Sequence, residues 1–239
     1  MAVIILPDAD AVAERAARLV ADVVAAKPRA VLGLAAGATP VGLYRRLVGE
    51  SRAGRLDLSG IVVFSLDDYV GLAPGHPASC RTCIETHFIA PLGLPPERVH
   101  LLGEDWEPAA YERAIAAAGG IDVQILGLGV NGHIAFNEPG SALDGRTRRV
   151  TLSESTRAVN RKAFPTGEAV PAFALSMGIG TILEARRVLL LATGAAKAAA
   201  LAAALDGPLT EDVPASALRR HPDLVVLADA GAAQRLGHR

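Results

Sequence analysis

The chain has 239 residues, of which 51% are hydrophobic, and its formal net charge at pH 7 is −1. This length and apolar content suit a single globular domain with a sizeable core, and we expect residues 1–239 to form one domain. A net charge this close to zero gives no electrostatic argument for nucleic acid or an anionic membrane surface as a partner.

The chain has only two cysteines, Cys80 and Cys83, which excludes a disulfide-stapled scaffold. Its first residues lack the charged, apolar and small-residue series of a secretion signal, so we expect a cytoplasmic protein. The longest weakly polar run, Val188–Leu205, contains Gly194 and Lys197. It therefore favours a strand followed by a helix over a membrane span.

Short apolar runs alternate with longer helical patterns along the chain. The predicted strands are Val3–Leu6, Ala30–Leu34, Ile61–Leu66, Val123–Gly127, Val188–Ala192 and Leu224–Ala228. The predicted helices are Ala9–Ala26, Pro40–Arg52, Ser79–Ile89, Ala109–Ala118, Thr156–Ala163 and Ala195–Leu205. This alternation predicts an α/β fold, with a single doubly wound, mostly parallel, Rossmann-like sheet and helices on both faces. Ligands of such sheets bind outside the carboxyl ends of the strands.

The segment Gly33–Pro40 links the second predicted strand to a helix. Gly37 permits backbone conformations that aim several amide groups at one point, while Thr39 and Pro40 suit a helix cap and first turn. A helix N-terminus presented in this way attracts phosphate. The same residues equally fit an ordinary tight turn before a capped helix.

Two adjacent carboxylates, Asp67 and Asp68, follow the Ile61–Leu66 strand. Neighbouring side chains of an extended segment point to opposite sides, so only one of the two should face the crevice. Such an aspartate can act as a general base, although strand-end aspartates more often cap a turn.

Three glycines and several polar residues follow the Val123–Gly127 strand. The glycines lie at positions 127, 129 and 132, and the polar residues are Asn131, His133, Asn137 and Glu138. Histidine has the proton affinity nearest working pH, and Pro139 holds Glu138 extended. A carboxylate that hydrogen-bonds an imidazole fixes its tautomer and raises its basicity, so we expect Glu138 and His133 to form a proton-transfer unit rather than a structural pair.

The spacing of these glycines imitates a dinucleotide-binding fingerprint. No clear helix opens there, and no acidic residue stands at the end of a following strand. We therefore expect no dinucleotide cofactor.

The chain has three lysines, at positions 27, 162 and 197. Lys162, with its neighbour Arg161, and Lys197 can each contact a phosphate or remain a solvated helix charge. Four further residues fall along one predicted helical face: His76, Cys80, Cys83 and His87. This spacing allows a metal cluster or a redox pair, but we favour two small buried cysteines on a core-facing helix.

Together these segments resemble the glucosamine-6-phosphate deaminase family, over nearly the whole chain. The most specific segments are Leu66-Asp67-Asp68-Tyr69-Val-Gly-Leu72 and Gly132-His133-Ile-Ala-Phe-Asn-Glu138-Pro139. The related 6-phosphogluconolactonases share the fold, but they carry Thr-Ala-Ser after the Gly-His pair and lack Asn-Glu-Pro. The resemblance therefore implies a deaminase rather than a lactonase.

The resemblance implies an aldose–ketose isomerisation with loss of ammonia, without a metal or other cofactor, which converts glucosamine 6-phosphate to fructose 6-phosphate. It implies that His133 assists ring opening, tuned by Glu138 and Asn131. It also implies that Asp67 carries a proton from C2 to C1, which one base beside both carbons can do. The residues implied to hold the phosphate are Gly37, Ala38, Thr39 and Lys197, with Lys162 brought in by a mobile lid.

The chain departs from the family pattern at three positions. Residue 131 is Asn where some members carry Asp, so the partner of the histidine is neutral and the pKa of His133 should be less elevated. Position 36 is Ala where a hydroxyl is often found, and position 162 is Lys where Arg is common, so Arg161 or Lys162 can fill that role.

Two other functions remain open from the sequence. A 6-phosphogluconolactonase or another amino-sugar phosphate isomerase could use the same scaffold, and ammonia release would separate these reactions. A sugar-phosphate sensor should carry a DNA-binding module, for which no segment remains. The last predicted strand ends near Ala228, whereas activated hexameric members continue further. We therefore expect a monomer or small homo-oligomer, with a phosphorylated amino sugar as its small-molecule partner and no activation by N-acetylglucosamine 6-phosphate.

Overall fold

A computed structural model describes residues 1–237, and the side chain of residue 155 also lies outside this description. The strands are β1 (Ala2–Leu6), β2 (Val31–Leu34), β3 (Val62–Ser65), β4 (Asp67–Tyr69), β5 (Val99–His100), β6 (Val123–Gly127), β7 (Arg148–Thr151), β8 (Phe173–Ser176), β9 (Arg187–Ala192) and β10 (Leu224–Asp229). The α-helices are α1 (Ala9–Ala26), α2 (Ala38–Arg52), α3 (Cys80–Ile84), α4 (Ala90–Leu92), α5 (Pro108–Ala117), α6 (Glu154–Asn160), α7 (Ile179–Leu183), α8 (Ala198–Asp206) and α9 (Ala230–Ala233).

Shorter helical turns connect some of these elements. The 3₁₀ segments are Pro96–Arg98, Arg161–Ala163, Ala195–Lys197 and Pro214–Arg220, and Glu85–Ile89 is π-helical. The predicted helix Ser79–Ile89 is therefore divided between α3 and the π-helical segment. The predicted helix Ala195–Leu205 likewise begins as a 3₁₀ turn before α8.

Seven strands form the main sheet, in the order β1-β10-β9-β6-β2-β3-β5, and all neighbours in it are parallel. The chain runs outward from β2 to β5 and then returns to β6 on the other side of β2. This doubly wound arrangement confirms the predicted fold class. The loops after β2 and β6 meet where the strand order reverses, which is where such sheets bind ligands.

Helices cover both faces of the sheet because alternate strand residues point to opposite sides. Ile125 and Leu189 belong to the hydrophobic cluster that contains the buried residues of α1 and α2. Leu126 and Leu190 belong to a second cluster, together with buried residues of α5, α7 and α8. The central apolar strands predicted from the sequence are thus buried on both faces, whereas the predicted buried strand at Val3–Leu6 lies at the sheet edge as β1, where Ile5 is exposed.

A second sheet of three antiparallel strands, in the order β4-β8-β7, was not predicted. Its register pairs Asp67 with Ser176 and Asp68 with Leu175. This sheet holds β4 immediately after β3, so that Asp67 lies at the carboxyl edge of the main sheet. Within residues 1–237, no helix combines the length and the apolar content needed to cross a bilayer.

Candidate active site

A cavity of about 600 Å³ opens at the carboxyl ends of the parallel strands. Its walls come from β4, α3, α6 and the loops that follow β2, β6 and β9. Nine residues were assigned from the sequence to catalysis or phosphate binding, and six of them line the cavity: Gly37, Ala38, Thr39, Asp67, His133 and Lys197. The other three do not line it. Asn131 and Glu138 are linked to His133 by hydrogen bonds, and Lys162 acts on Lys197 through its charge.

Asp67 is a buried carboxylate on this cavity, with 8% of its surface exposed. Burial, and after it the charge of Asp68, raise the pKa of Asp67 to about 7. A carboxyl group whose pKa lies near neutrality can both accept a proton and return it.

Asp68 instead stabilises the turn that leads into α3. Its carboxylate accepts hydrogen bonds from the backbone N–H of Tyr69 at 2.8 Å, the backbone N–H of Cys80 at 2.8 Å and the hydroxyl of Ser79 at 2.7 Å. Only Asp67 of the adjacent pair lines the cavity, as the alternation of side chains along an extended segment predicted.

His133 is oriented by Asn131 rather than by a direct carboxylate contact. Its Nδ1 atom lies 2.7 Å from Asn131 Oδ1, and the Asn131 amide donates to Glu138 Oε2 at 3.2 Å. The predicted direct bond between Glu138 and the imidazole is therefore wrong. The reason is the local turn, in which the His133 backbone N–H also donates to Asn131 Oδ1 at 3.2 Å and holds the amide beside the ring.

This hydrogen bond sets the tautomer of His133. Because Asn131 Oδ1 can only accept, the neutral imidazole carries its proton on Nδ1, and Nε2 is left with a lone pair. Burial lowers the pKa of His133. The charge of Glu138 raises it and the charge of Lys197 lowers it, and the net shift is downward. The lowered pKa favours the neutral imidazole, and burial is its largest cause.

Gly129 provides the space for the imidazole. A Cβ atom at this position would lie 2.4 Å from His133 Cε1, closer than side chains approach one another. Gly132 adopts φ +85°, in the left-handed region that favours glycine, and a Cβ atom there would lie 2.8 Å from Val213 Cγ1. These two glycines therefore serve the histidine turn rather than a dinucleotide.

The N-terminus of α2 opens onto the same cavity. Gly37, with φ +115°, is the N-cap residue, and the helix begins at Ala38, two residues earlier than predicted. Thr39 is therefore not the cap, and its hydroxyl instead hydrogen-bonds the hydroxyl of Thr193 at 2.8 Å. This contact joins the first turn of α2 to the loop after β9, and the free backbone N–H groups at this end of α2 favour an anion.

Lys197 lies at the same end of the cavity, in the 3₁₀ turn before α8. Burial lowers the pKa of its half-buried ammonium group, and the charge of Lys162 lowers it further. Arg161, by contrast, donates to the backbone carbonyls of Pro165 and Glu168. Of the two neighbouring cations, Lys162 is thus the one whose charge acts on the Lys197 end of the cavity.

The prediction that Cys80 and Cys83 are buried in the core holds only in part: Cys80 packs against the hydrophobic cluster that contains Tyr69 and Phe164, but neither thiol is fully buried. Both are half-buried free thiols, and both line the cavity. Both belong to α3, which ends at Ile84 and continues as a π-helix. In the part of the chain that the structure describes, no group of three or more His, Cys, Asp or Glu residues could hold a metal ion.

Sequence reasoning also missed the contacts that hold α6 over the cavity. The Asn160 amide donates to the Tyr69 hydroxyl at 2.9 Å, and the rings of Tyr69 and Phe164 meet edge to face at 5.3 Å. His76 Nε2 lies 2.9 Å from Glu168 Oε1. The sequence shows only that the aromatic Tyr69 follows the two aspartates, and this does not reveal its partner Asn160, which is 91 residues further along the chain.

Comparisons with known proteins agree with this geometry. The sequence profile of the family described as glucosamine-6-phosphate isomerases/6-phosphogluconolactonase matches residues 8–226. A glucosamine-6-phosphate deaminase of Shewanella loihica is 46% identical, over 99% of this chain and 90% of its own. A solved structure of a monomeric glucosamine-6-phosphate deaminase is 40% identical, with a TM-score of 0.94 over 98% of this chain and 100% of its own.

More distant structures share the fold alone. The 6-phosphogluconolactonase from Trypanosoma brucei has a TM-score of 0.79 over 99% of this chain and 98% of its own, with 20% identity. Identity at this level carries no argument about the reaction. From the profile match and the full-length identity to deaminases, the chain belongs to the glucosamine-6-phosphate isomerase/6-phosphogluconolactonase family.

Proposed function

We propose that this chain is an isomerising deaminase, which converts glucosamine 6-phosphate and water to fructose 6-phosphate and ammonia. The observation that carries the proposal is a buried carboxylate with a pKa of about 7, Asp67, in one cavity with His133 and Lys197. The 46% full-length identity to a glucosamine-6-phosphate deaminase supports the same reaction.

The phosphate of the substrate binds at the N-terminus of α2. This role is supported by the free backbone N–H groups at Gly37, Ala38 and Thr39 and by the ammonium group of Lys197. Lys162 adds positive charge from the side of α6. A charge-assisted contact of this kind contributes about 1.5–3 kcal/mol to binding.

His133 opens the pyranose ring. Its Nε2 lone pair accepts the proton of the C1 hydroxyl, and the imidazolium then returns a proton to the ring oxygen as the C1–O5 bond breaks. The neutral ring and the Nδ1 bond to Asn131 support this role. The negative charge of Glu138 stabilises the transient imidazolium through the intervening amide.

Asp67 then moves one proton between two carbons. The carboxylate takes the proton from C2 as O1 gains a proton, which gives an enolamine. It then delivers its proton to C1 as the amino nitrogen gives up a proton, which leaves a hydroxyl at C1 and an imine at C2. Water adds to the imine, and ammonia departs as the ketone forms, so that every atom of substrate and water is accounted for. One buried base beside both carbons serves as acceptor and then as donor, and exchange of its proton with solvent carries solvent hydrogen to C1.

The assembly is a monomer or a small homo-oligomer. The TM-score of 0.94 to a monomeric glucosamine-6-phosphate deaminase supports this proposal. The cytoplasmic location expected from the sequence stays a prediction.

An assay of the purified protein with glucosamine 6-phosphate tests the reaction. We expect ammonia and fructose 6-phosphate in equal amounts, and no comparable hydrolysis of 6-phosphogluconolactone. Lactone hydrolysis without ammonia release would favour the lactonase, and binding of the amino sugar phosphate without turnover would favour a sensor.

A further inference from the structure

The hydroxyl of Thr193 lies beside the residues proposed to hold the phosphate. Its Oγ1 atom is 2.8 Å from Thr39 Oγ1, and both residues line the cavity together with Lys197. Leu191, two residues before Thr193, also lines the cavity, as the alternation of side chains along an extended segment requires. The direction in which β9 ends therefore presents the Thr193 side chain to the cavity.

Asp229 holds the loop that carries Thr193, although it does not line the cavity itself. Its buried carboxylate accepts a hydrogen bond from the backbone N–H of Gly194 at 2.8 Å, through Oδ2. Its Oδ1 atom accepts from the backbone N–H of Ala232 at 2.7 Å, in the first turn of α9. The backbone next to Thr193 is thus fixed by a neighbour outside the cavity, which leaves the threonine side chain available to a ligand.

The two threonine hydroxyls together retain a donor for such a ligand. Each hydroxyl has one proton, and the single hydrogen bond between Thr39 and Thr193 uses one of the two. Neither hydroxyl has another hydrogen-bond partner among the described residues. One O–H group of the pair is therefore free to donate to a group in the cavity.

An anion is the ligand that suits this donor. Thr39 belongs to the first turn of α2, whose free backbone N–H groups favour negative charge. Lys197 follows Thr193 by four residues on the same loop and adds a positive charge. A hydrogen bond to an ionised acceptor is roughly twice as strong as one to a neutral group, so a phosphate benefits from the free hydroxyl more than an uncharged ligand does.

We propose that Thr193 is a phosphate-binding residue, whose hydroxyl donates to the phosphate of the substrate from the loop after β9. The inference rests on the proposed function, in which the substrate is a phosphorylated amino sugar. When the phosphate binds, the bond between the two hydroxyls is exchanged for charge-assisted bonds from both of them. A hydroxyl that only joined α2 to this loop would instead contribute to stability and leave phosphate affinity unchanged.

The test compares Thr193→Val, which keeps the branched shape without the hydroxyl, with Thr193→Ser, which keeps the hydroxyl. The Kd of inorganic phosphate is measured by calorimetry in the substrate-free protein, and kcat and KM are measured with glucosamine 6-phosphate. Thr193→Val should weaken phosphate binding and raise KM by about 10-fold each, because one charge-assisted bond is lost and one neutral bond no longer has to be broken. Its kcat should stay within about threefold of wild type, and Thr193→Ser should keep both affinities within about threefold.

Thr181→Val is the matched control. It removes a threonine hydroxyl that donates to Glu112 Oε1 at 2.5 Å, and Thr181 does not line the cavity. This variant should lower the free energy of unfolding and leave the phosphate Kd unchanged.

A wild-type phosphate Kd in the folded Thr193→Val protein would overturn the inference, as would an equal weakening in Thr181→Val. Failure of the wild-type protein to bind inorganic phosphate would also overturn it. If Thr193→Val does not fold, Thr193→Ala, which removes the same hydroxyl, takes its place. The phosphate titration does not depend on turnover: weakened binding in Thr193→Val, together with no ammonia release by the wild type, would contradict the proposed function and not this inference.

Discussion

The side-chain amide of Asn131 connects His133 to Glu138, with its oxygen 2.7 Å from the imidazole Nδ1 and its nitrogen 3.2 Å from Glu138 Oε2. An amide cannot take up the imidazole proton, so charge formed on His133 stays on the ring. Glu138 therefore acts through its electric field, and its buried Oε1 atom has no hydrogen-bond partner among the described residues. Residue 131 thus controls how strongly the carboxylate acts on the histidine.

Asn131→Asp should raise the pKa of His133, because it replaces a neutral acceptor at 2.7 Å with a negative charge. Imidazole NMR titration of the free protein measures this directly. The limb of kcat/KM that requires neutral His133 should move to higher pH in parallel. An unchanged imidazole pKa would mean that residue 131 does not contact the ring in solution.

Gly129→Ala should displace the His133 ring, because the new Cβ atom would lie 2.4 Å from Cε1. A misplacement of about 1 Å can lower turnover by about 10²-fold, and we expect a loss of this size with the fold retained. Gly127→Ala is the matched control, since a Cβ atom there meets nothing within 4 Å. Equal kcat values for the two variants would show that the ring position does not limit catalysis.

Lys197→Ala should raise the KM for glucosamine 6-phosphate by about 10- to 100-fold, because that is the loss of affinity expected when a charge-assisted phosphate contact is removed. Lys162→Ala should have a smaller effect and should raise the pKa of Lys197, because it removes a like charge. Lys27→Ala serves as the control: this lysine pairs with Asp122 at 2.7 Å and should affect stability but not KM. Unchanged saturation in the Lys197 variant would place the phosphate elsewhere.

Asp67 should make the protein less stable as the pH rises. Its pKa is about 7 in the folded state, against an ordinary value of 3.8. Between these two pH values the folded state therefore holds a proton that the unfolded state has lost. The free energy of unfolding therefore falls as the pH rises from about 4 to 7. Each pKa unit corresponds to about 1.4 kcal/mol, so Asp67→Asn should be more stable than wild type at pH 8, by an amount on the order of 4 kcal/mol.

Denaturant titrations at pH 4 and pH 8 measure this difference. The free energy of unfolding of Asp67→Asn should exceed that of wild type clearly at pH 8 and hardly at all at pH 4. A gain of equal size at both values would show that burial does not shift the Asp67 pKa.

Six of the seven strands of the main sheet could be predicted from the sequence because they are continuous apolar runs, whereas β5 has only two residues and was not predicted. Val123–Gly127 and Ala9–Ala26 were predicted with the bounds that the structure shows. The three-stranded sheet could not be predicted, since β4 contains two carboxylates and β7 contains Arg148 and Arg149. Such polar strands are defined by their pairing with β8, which is a tertiary contact.

The candidate site, like the sheets, could be predicted from the sequence only in part. Asp67 and His133 each follow an apolar strand, so the sequence could locate them at one edge of the sheet. The end of α3 at Ile84, the π-helix that follows it and the position of both cysteines on the cavity wall are set by tertiary packing. Helical periodicity alone cannot give that end point, and the cysteines were assigned to the core for this reason.

Ammonia release by Asp67→Asn, beside Asp68→Asn, tests the central claim most directly. Asn keeps the shape of Asp67 but cannot carry the proton, so kcat should fall by about 10²–10⁴ while binding changes little. Deuterium uptake from solvent at C1 of the product should be lost in parallel. Asp68→Asn weakens the hydrogen bonds of the turn before α3 and removes a charge beside Asp67, so it should lower the free energy of unfolding and keep turnover within a few-fold of wild type. Normal turnover in the folded Asp67→Asn protein would contradict the account.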